Sequence, residues 1–191
     1  MSLIERIALA LANEPPHGLL PGDLVEGLEG EPRHAAVLVA ITDRPEPGLI
    51  LTQRREHLRT HAGQVALPGG RIDEGEDAVA AALREAQEEI GLNPALVRLL
   101  GEADRYATVT GYSVTPVIGV IPPDLELAPN PAEVADWFEA PLDFVLDPAN
   151  QRQMTAEYRG RSRHYYQIDW QGRHIWGATA AMLVNLSRRI A

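Results

Sequence analysis

The sequence predicts an α/β domain in which helices cover a mixed β-sheet. Three observations carry this. Short aliphatic segments of strand character alternate with helical segments, but irregularly, which favours a mixed-sheet sandwich over a regular parallel wind. Two such strand segments, AAVLVAI and GLILTQR, are separated only by the turn-forming DRPEP, so they are adjacent strands. Asp77 to Ile90 reads as a capped amphipathic helix.

Taken in order, residues 3 to 12 (LIERIALALA) have helical composition and apolar spacing. A Pro/Gly-rich stretch from Glu14 to Pro32 then reads as an ordered loop or arm. The compact domain is placed from Arg33 onward, giving an N-terminal helix and arm over 1–32 and a domain over 33–191. GQVALPGG is read as a third strand ending in its glycines. In the helix that follows, Asp77 caps the start and Gly91 supplies the left-handed residue that closes it. VRLLGEA, TVTGYSVTPVIGVIP and EVADWFEA read as strand pieces, and PLDFVLDP as a short helical turn. RHYYQIDWQGRHIWG is a hairpin turning at Gln171 and Gly172. ATAAMLVNLSRRIA is a terminal helix with basic residues in its last turn.

Composition narrows the function. A net charge of -10 argues against sequence-independent nucleic-acid binding, which needs Lys and Arg to neutralise phosphates. The longest apolar run, Ala35 to Ile41, is far too short to span a membrane, and the N-terminus lacks the basic region of a signal peptide. A cytoplasmic setting is expected. With no cysteine, any metal must sit on oxygen or imidazole.

The acidic helix carries the chemistry. At about 100° per residue, Val79, Leu83, Ala86 and Ile90 gather on one side, with Ala78 and Ala82 on its flank, while Glu85, Glu88 and Glu89 cluster roughly 120° away. Like charges at this spacing repel, and the last turn is where the helix dipole disfavours anions. A bound cation reverses both penalties. Hard divalent ions such as Mg2+ or Mn2+ prefer clustered carboxylates and carbonyls and commonly bridge to phosphates. Gly69 and Gly70, in the loop leading to the helix, let backbone come close to such a site.

The stretch from Gly70 to Leu92 resembles the Nudix box, G-x5-E-x7-R-E-U-x-E-E-x-G-U, of the Nudix hydrolase family. Gly70, Glu76, Arg84, Glu85, Glu88, Glu89, Gly91 and Leu92 fall in register, and only Ala86 is smaller than the pattern asks for. With seven fixed letters at a background of roughly 7% each, a chance match at a given start is on the order of one in a hundred million. The resemblance implies a Nudix-type α/β/α sandwich with a mixed β-sheet, and metal-dependent hydrolysis of a nucleoside diphosphate linked to another group. By position, Glu85, Glu88 and Glu89 would hold the metal with the Gly70 carbonyl as a further ligand, and Arg84 with Glu76 would brace loop and helix. Glu88 is the first choice for general base, with Glu133, Glu102 and Asp104 as outside candidates.

Upstream, LILTQRREHLRTHAGQVALPGG is similar to the motif that marks coenzyme A diphosphatases within that family, L-L-T-x-R-[S/A]-x3-R-x3-G-x3-F-P-G-G. Leu51, Thr52, Arg54, Arg59, Gly63, Pro68, Gly69 and Gly70 match, whereas Ile50, Leu67 and Arg55 depart. Guanidinium forks at Arg54 and Arg59 suit a diphosphate with a ribose 3'-phosphate. His57 and His61 in the same loop read as structural or surface residues, and Trp137, Phe138, Trp170 and Trp176 as packing. The expected substrate is therefore a small nucleoside diphosphate derivative, coenzyme A first, with ADP-ribose, a dinucleotide or a nucleotide sugar as rivals and a silent nucleotide-sensing module as a rival of another class. A homodimer in which the N-terminal helix and arm cover a neighbour, and an intramolecular lid, are equally compatible with the chain.

Overall fold

The computed structural model describes residues 1–23, 31–56, 63–158 and 161–191. Its centre is an eight-stranded mixed sheet built around β1 (Arg33–Thr42). Along its whole length β1 runs parallel to β7 (Tyr112–Ile121), and it is antiparallel to β2 (Gly48–Arg54) and β4 (Gly69–Arg71). β3 (Val65–Ala66) and β8 (Val134–Pro141) pair with β2, while β5 (Arg98–Glu102) and β6 (Tyr106–Ala107) pair with β7.

Because side chains alternate across a strand, β1 feeds two cores. Ala36, Leu38 and Ala40 pack with Ile50, Val117 and Ile121 beneath α2 (Ala78–Ile90). Ala35, Val39 and Ile41 face the other way, toward α1 (Leu3–Ala12), α3 (Leu142–Leu146) and α4 (Ala178–Arg189), whose Ile7, Leu142 and Leu183 are fully enclosed. Helices therefore cover both faces, as the irregular alternation predicts. A separate three-stranded antiparallel sheet joins β9 (Arg152–Tyr158), β10 (Arg161–Trp170) and β11 (Arg173–Trp176).

The helix caps work as read. Asp77 accepts the Ala80 N–H at 2.8 Å, and Gly91 takes a φ of 68°. The buried stripe of α2 differs from the predicted one: Ala78, Ala81, Ala82, Ala86 and Ile90 are buried, whereas Val79 and Leu83 are only half-buried. Small residues let the helix lie close to the sheet, so the larger ones move to its flank. The glycines of GQVALPGG do not end the third strand but open β4, because Ala36 and Val37 of β1 take up their backbone pairing. β9 has no counterpart among the strand segments that the sequence predicts. It is polar and largely exposed, so no hydrophobic alternation marks it. The hairpin does turn at Gln171 and Gly172, both with positive φ, which matches the twist of the strands they join.

α4 is buried from Thr179 to Ser187, and two of its inward polar side chains reach partners elsewhere in the fold. Ser187 donates to the Leu146 carbonyl, and Asn185 acts as a backbone mimic, accepting the Leu20 N–H at 2.7 Å and donating to the Leu20 carbonyl at 2.9 Å. The arm is thus sewn to the terminal helix. Buried Arg189 grips both oxygens of Asp104 at 2.8 Å and also donates to the Ala10 and Asn13 carbonyls at the end of α1, which has no basic residue of its own there. α1 packs on its own chain. Among the described residues no helix is long and apolar enough to cross a membrane.

Replacing buried Asn185 by Ala leaves the part-buried N–H and C=O of Leu20 without their side-chain partner. Chemical denaturation is expected to show a loss of about 2–4 kcal/mol, with faster proteolysis of the arm. A loss under about 0.5 kcal/mol would contradict this role for Asn185.

Candidate active site

The site forms where β4 runs beneath α2. Gly69 and Gly70 pair with Val37 and Ala36 of β1. A methyl group on Gly69 would collide with the Ala36 carbonyl and the Val37 Cα, and on Gly70 it would stand 2.5 Å from the carboxyl carbon of Glu85. Only glycine lets a carboxylate of the helix lie directly on strand backbone. Glu89, one turn further on, accepts the Gly69 N–H at 3.2 Å.

Arg84 fastens this arrangement. Its Nε and Nη2 donate to the two oxygens of Glu76 at 2.9 and 3.0 Å, Nη2 also reaches the Arg71 carbonyl at 3.0 Å, and Nη1 donates to Glu85 at 2.7 Å and Glu88 at 3.4 Å. The loop, strand and helix are tied through one guanidinium. Glu76 also accepts the Asp73 N–H at 3.1 Å. These contacts to Arg84, and then to Asp73, hold the Glu76 carboxyl below its ordinary range, and Arg84 is correspondingly raised.

Glu89 is different in kind. It is 3% exposed, whereas the side chain of Glu88 is 57% exposed, although the two are adjacent on the helix. Burial pushes the Glu89 carboxyl up to about 7, against the pull of Arg54 and the Gly69 N–H, and the neighbouring charges of Glu85 and Glu133 push in the same direction as burial. Arg54 meets it with Nη1 at 3.4 Å. That reach depends on a β-bulge: Gln53 pairs with Asp136, but Arg54 pairs with Val134, so one extra residue of β8 turns Arg54 toward α2. The bulge is fixed on both sides by Arg54 N–H to the Gln64 carbonyl at 2.9 Å and Arg55 N–H to the Glu133 carbonyl at 3.0 Å.

The end of α2 carries no basic residue. Instead the segment before β8 caps it: Ala128 N–H donates to the Ile90 carbonyl at 2.9 Å and Asn130 N–H to the Glu89 carbonyl at 2.8 Å. This wrap carries Glu133 toward Glu89. Asn130 has no sequence signal beyond its place in a Pro/Asn-rich loop, and it was not anticipated.

Glu76, Arg84, Glu85, Glu88, Glu89, Gly69, Gly70 and Arg54 are therefore brought together. Arg59, His57 and His61 lie outside the described residues. Asp104 is engaged by Arg189, and Glu102 is exposed on β5. Leu67, one of the departures from the upstream pattern, is 3% exposed in the core. Phe138 stacks on Trp170 and Trp137 is half-buried, but Trp176 is 41% exposed and touches Tyr165 edge-on, so it packs less than expected.

Among the described residues no three acidic or histidine side chains converge into a ready-made metal cage. Guanidinium nitrogens stand in their place: Arg84 on Glu85 and Glu88, Arg54 on Glu89. The donor set nevertheless fits a hard divalent cation, being all oxygen and anionic, with one carboxylate seated where a Cβ of Gly70 would be and another deep in the protein.

The sequence profile of the NUDIX domain matches residues 32–159. The chain belongs to the Nudix hydrolase family. It is 46% identical over 160 residues, 83% of each chain, to the uncharacterized Nudix hydrolase NudL of Escherichia coli K12 and likewise to that of Shigella boydii. Among solved structures it is similar to the Nudix hydrolase RenU of M. smegmatis, with a TM-score of 0.52, 24% identity and coverage of 67% and 81% of the two chains. It is also similar to an Ap4A hydrolase of C. elegans, with a TM-score of 0.50, 21% identity and coverage of 57% and 80%. Both likenesses establish the α/β fold. Nudix hydrolases act on small nucleoside diphosphate substrates with divalent metal ions, which accords with the donor set above.

The burial of Glu89 makes the stability of the metal-free fold depend on pH. The folded value of its carboxyl lies above the ordinary 4.5, so the metal-free fold loses stability from this group as pH rises from about 4.5 to 7, and carries the full penalty above that. Metal-free Glu89→Gln protein should therefore gain on wild type between pH 5 and 8, by on the order of 3 kcal/mol in denaturant unfolding. A difference that does not change with pH would contradict the burial of a titrating Glu89.

Proposed function

We propose that the chain hydrolyses the diphosphate bond of coenzyme A or its thioesters, giving adenosine 3',5'-bisphosphate and the matching 4'-phosphopantetheine, with Mg2+ or Mn2+ as the ion. The observation that carries this reading is the seating of the Glu85 and Glu89 carboxylates against the Gly69–Gly70 backbone, next to an arginine from the upstream motif. Glu85, Glu88, Glu89 and the Gly70 carbonyl would hold the ion. When bound, it supplies charge neutralisation of the diphosphate and a lowered pKa for an attacking water.

The remaining steps belong to the chain. Glu88, the most exposed of the three and held among the described residues by one 3.4 Å contact, takes the proton from water as the water oxygen attacks phosphorus. The P–O bond of the anhydride breaks, and the leaving phosphate departs with the electron pair. Glu76 and Arg84 keep loop and helix in place during this step. Gly69 and Gly70 admit the diphosphate close to backbone, and Arg54 and Arg59 meet its oxygens and the ribose 3'-phosphate.

Coenzyme A is favoured by the upstream motif. The enclosure of Leu67 in the core removes one of the three departures from substrate contact. Arg55 is the remaining difference of consequence, and its Nε is enclosed without a hydrogen-bond partner among the described residues. A substrate panel with products identified by mass tests the reading. Coenzyme A should be cleaved only with added Mg2+ or Mn2+ and preferred over its analogue lacking the 3'-phosphate, while Glu88→Gln should lower kcat by about 10²–10⁴-fold. Preference for ADP-ribose or a dinucleotide would overturn the choice of substrate, and tight nucleotide binding without turnover would overturn the catalytic reading itself.

A further inference from the structure

We propose that Arg54 is a resident counter-ion of the metal site: it neutralises Glu89 in the metal-free enzyme, is displaced when a divalent cation binds, and is thereby released toward the diphosphate. The proposal rests on the reading of Glu89 as a metal ligand and adds a role for Arg54 that precedes its contact with substrate.

Among the described residues two arginines touch the box glutamates, and they are held differently. Arg84 is a fixed clamp, two-pronged on Glu76 and supported by the Arg71 carbonyl. Arg54 offers Glu89 one nitrogen at 3.4 Å, and its Nε is enclosed without a hydrogen-bond partner among the described residues. A charge-assisted fork would close to about 2.7–2.9 Å on two prongs. Arg54 therefore balances charge without the geometry of a permanent pair.

The balance is needed because Glu89 sits inside the protein, where a lone carboxylate is costly. Among the described residues its one further hydrogen bond comes from the Gly69 N–H at 3.2 Å. A divalent ion on the same carboxylate supplies more charge than the guanidinium and repels it at close range. The side chain of Arg54 keeps 24% of its surface exposed, so it needs no buried route to move away. The bulge at Gln53 and Arg54 holds the backbone while the side chain exchanges partners. One cation is replaced by another, and the displaced one is set free beside the metal, where a diphosphate would meet both.

The test measures metal binding and unfolding rather than turnover. Chelator-stripped wild type, Arg54→Met, Arg54→Gln, Arg54→Lys and Glu89→Gln are titrated with Mn2+ by electron paramagnetic resonance at pH 8 and melted with and without saturating Mn2+. Arg54→Met should bind Mn2+ about tenfold more tightly than wild type, a coupling of ordinary size between two mutually exclusive ligands. Metal-free Arg54→Met should melt below wild type, and the gap should close when Mn2+ saturates the site. Arg54→Lys should keep the wild-type affinity, and Arg54→Gln should follow Arg54→Met, which covers the case that the methionine variant does not fold. Unchanged or weaker Mn2+ binding in both neutral variants, or a melting gap that persists under Mn2+, would overturn the proposal. Weakened binding in Glu89→Gln together with an unaltered Arg54→Met overturns this proposal alone. Unaltered binding in Glu89→Gln overturns the ligand assignment beneath it as well.

Discussion

The close approach of α2 to the glycine backbone of β4 is the constraint on which the rest of the site depends. A Cβ on either glycine would collide, at Gly69 with β1 and at Gly70 with Glu85. The alanines of α2 lower the helix onto the sheet, and the glycines of β4 leave room for its carboxylates. From this one apposition follow the burial of Glu89, its bond to Gly69 and the position of Glu85. Packing and chemistry use the same residues.

The approach concentrates negative charge, and the fold answers with guanidinium groups of two kinds. Arg84 belongs to the helix and is locked into the loop through Glu76, which makes it a structural brace. Arg54 arrives from another strand, on a bulge, at the limit of hydrogen-bond distance. The helix end is neutral in its own residues and is capped by backbone N–H groups from the 128–130 segment. Backbone N–H groups, rather than a basic residue of the helix, therefore meet its last carbonyls, where the dipole favours positive charge.

Local signals in the sequence translated well. Asp77 and Gly91 bound α2, Gln171 and Gly172 turn the hairpin, and the aliphatic run in β1 lies in a central strand buried on both faces, because each feature depends on a few neighbouring residues. Spacing along the helix also placed Glu85, Glu88 and Glu89 on a common side. It could not tell that Glu89 is buried while Glu88 is exposed, since that depends on how deeply the helix sits on β4. Nor could it pair Arg54 with Glu89, because the pairing requires the extra residue in β8, more than seventy positions away. An exposed polar strand such as β9 has no hydrophobic period in its sequence, and the alanines of α2 form its contact face because their small size lets the helix approach the sheet.

In the proposed reading these carboxylates and the Gly70 backbone bind a divalent cation, and Arg54 gives way to it. Anomalous diffraction from crystals of the protein soaked in Mn2+ tests it most directly. A peak within coordination distance of Glu85 and Glu89 and of the Gly70 carbonyl, with Arg54 turned off Glu89, is the predicted result. Manganese density elsewhere, or none at the box while Arg54 and Arg84 keep their present carboxylate partners, would contradict it.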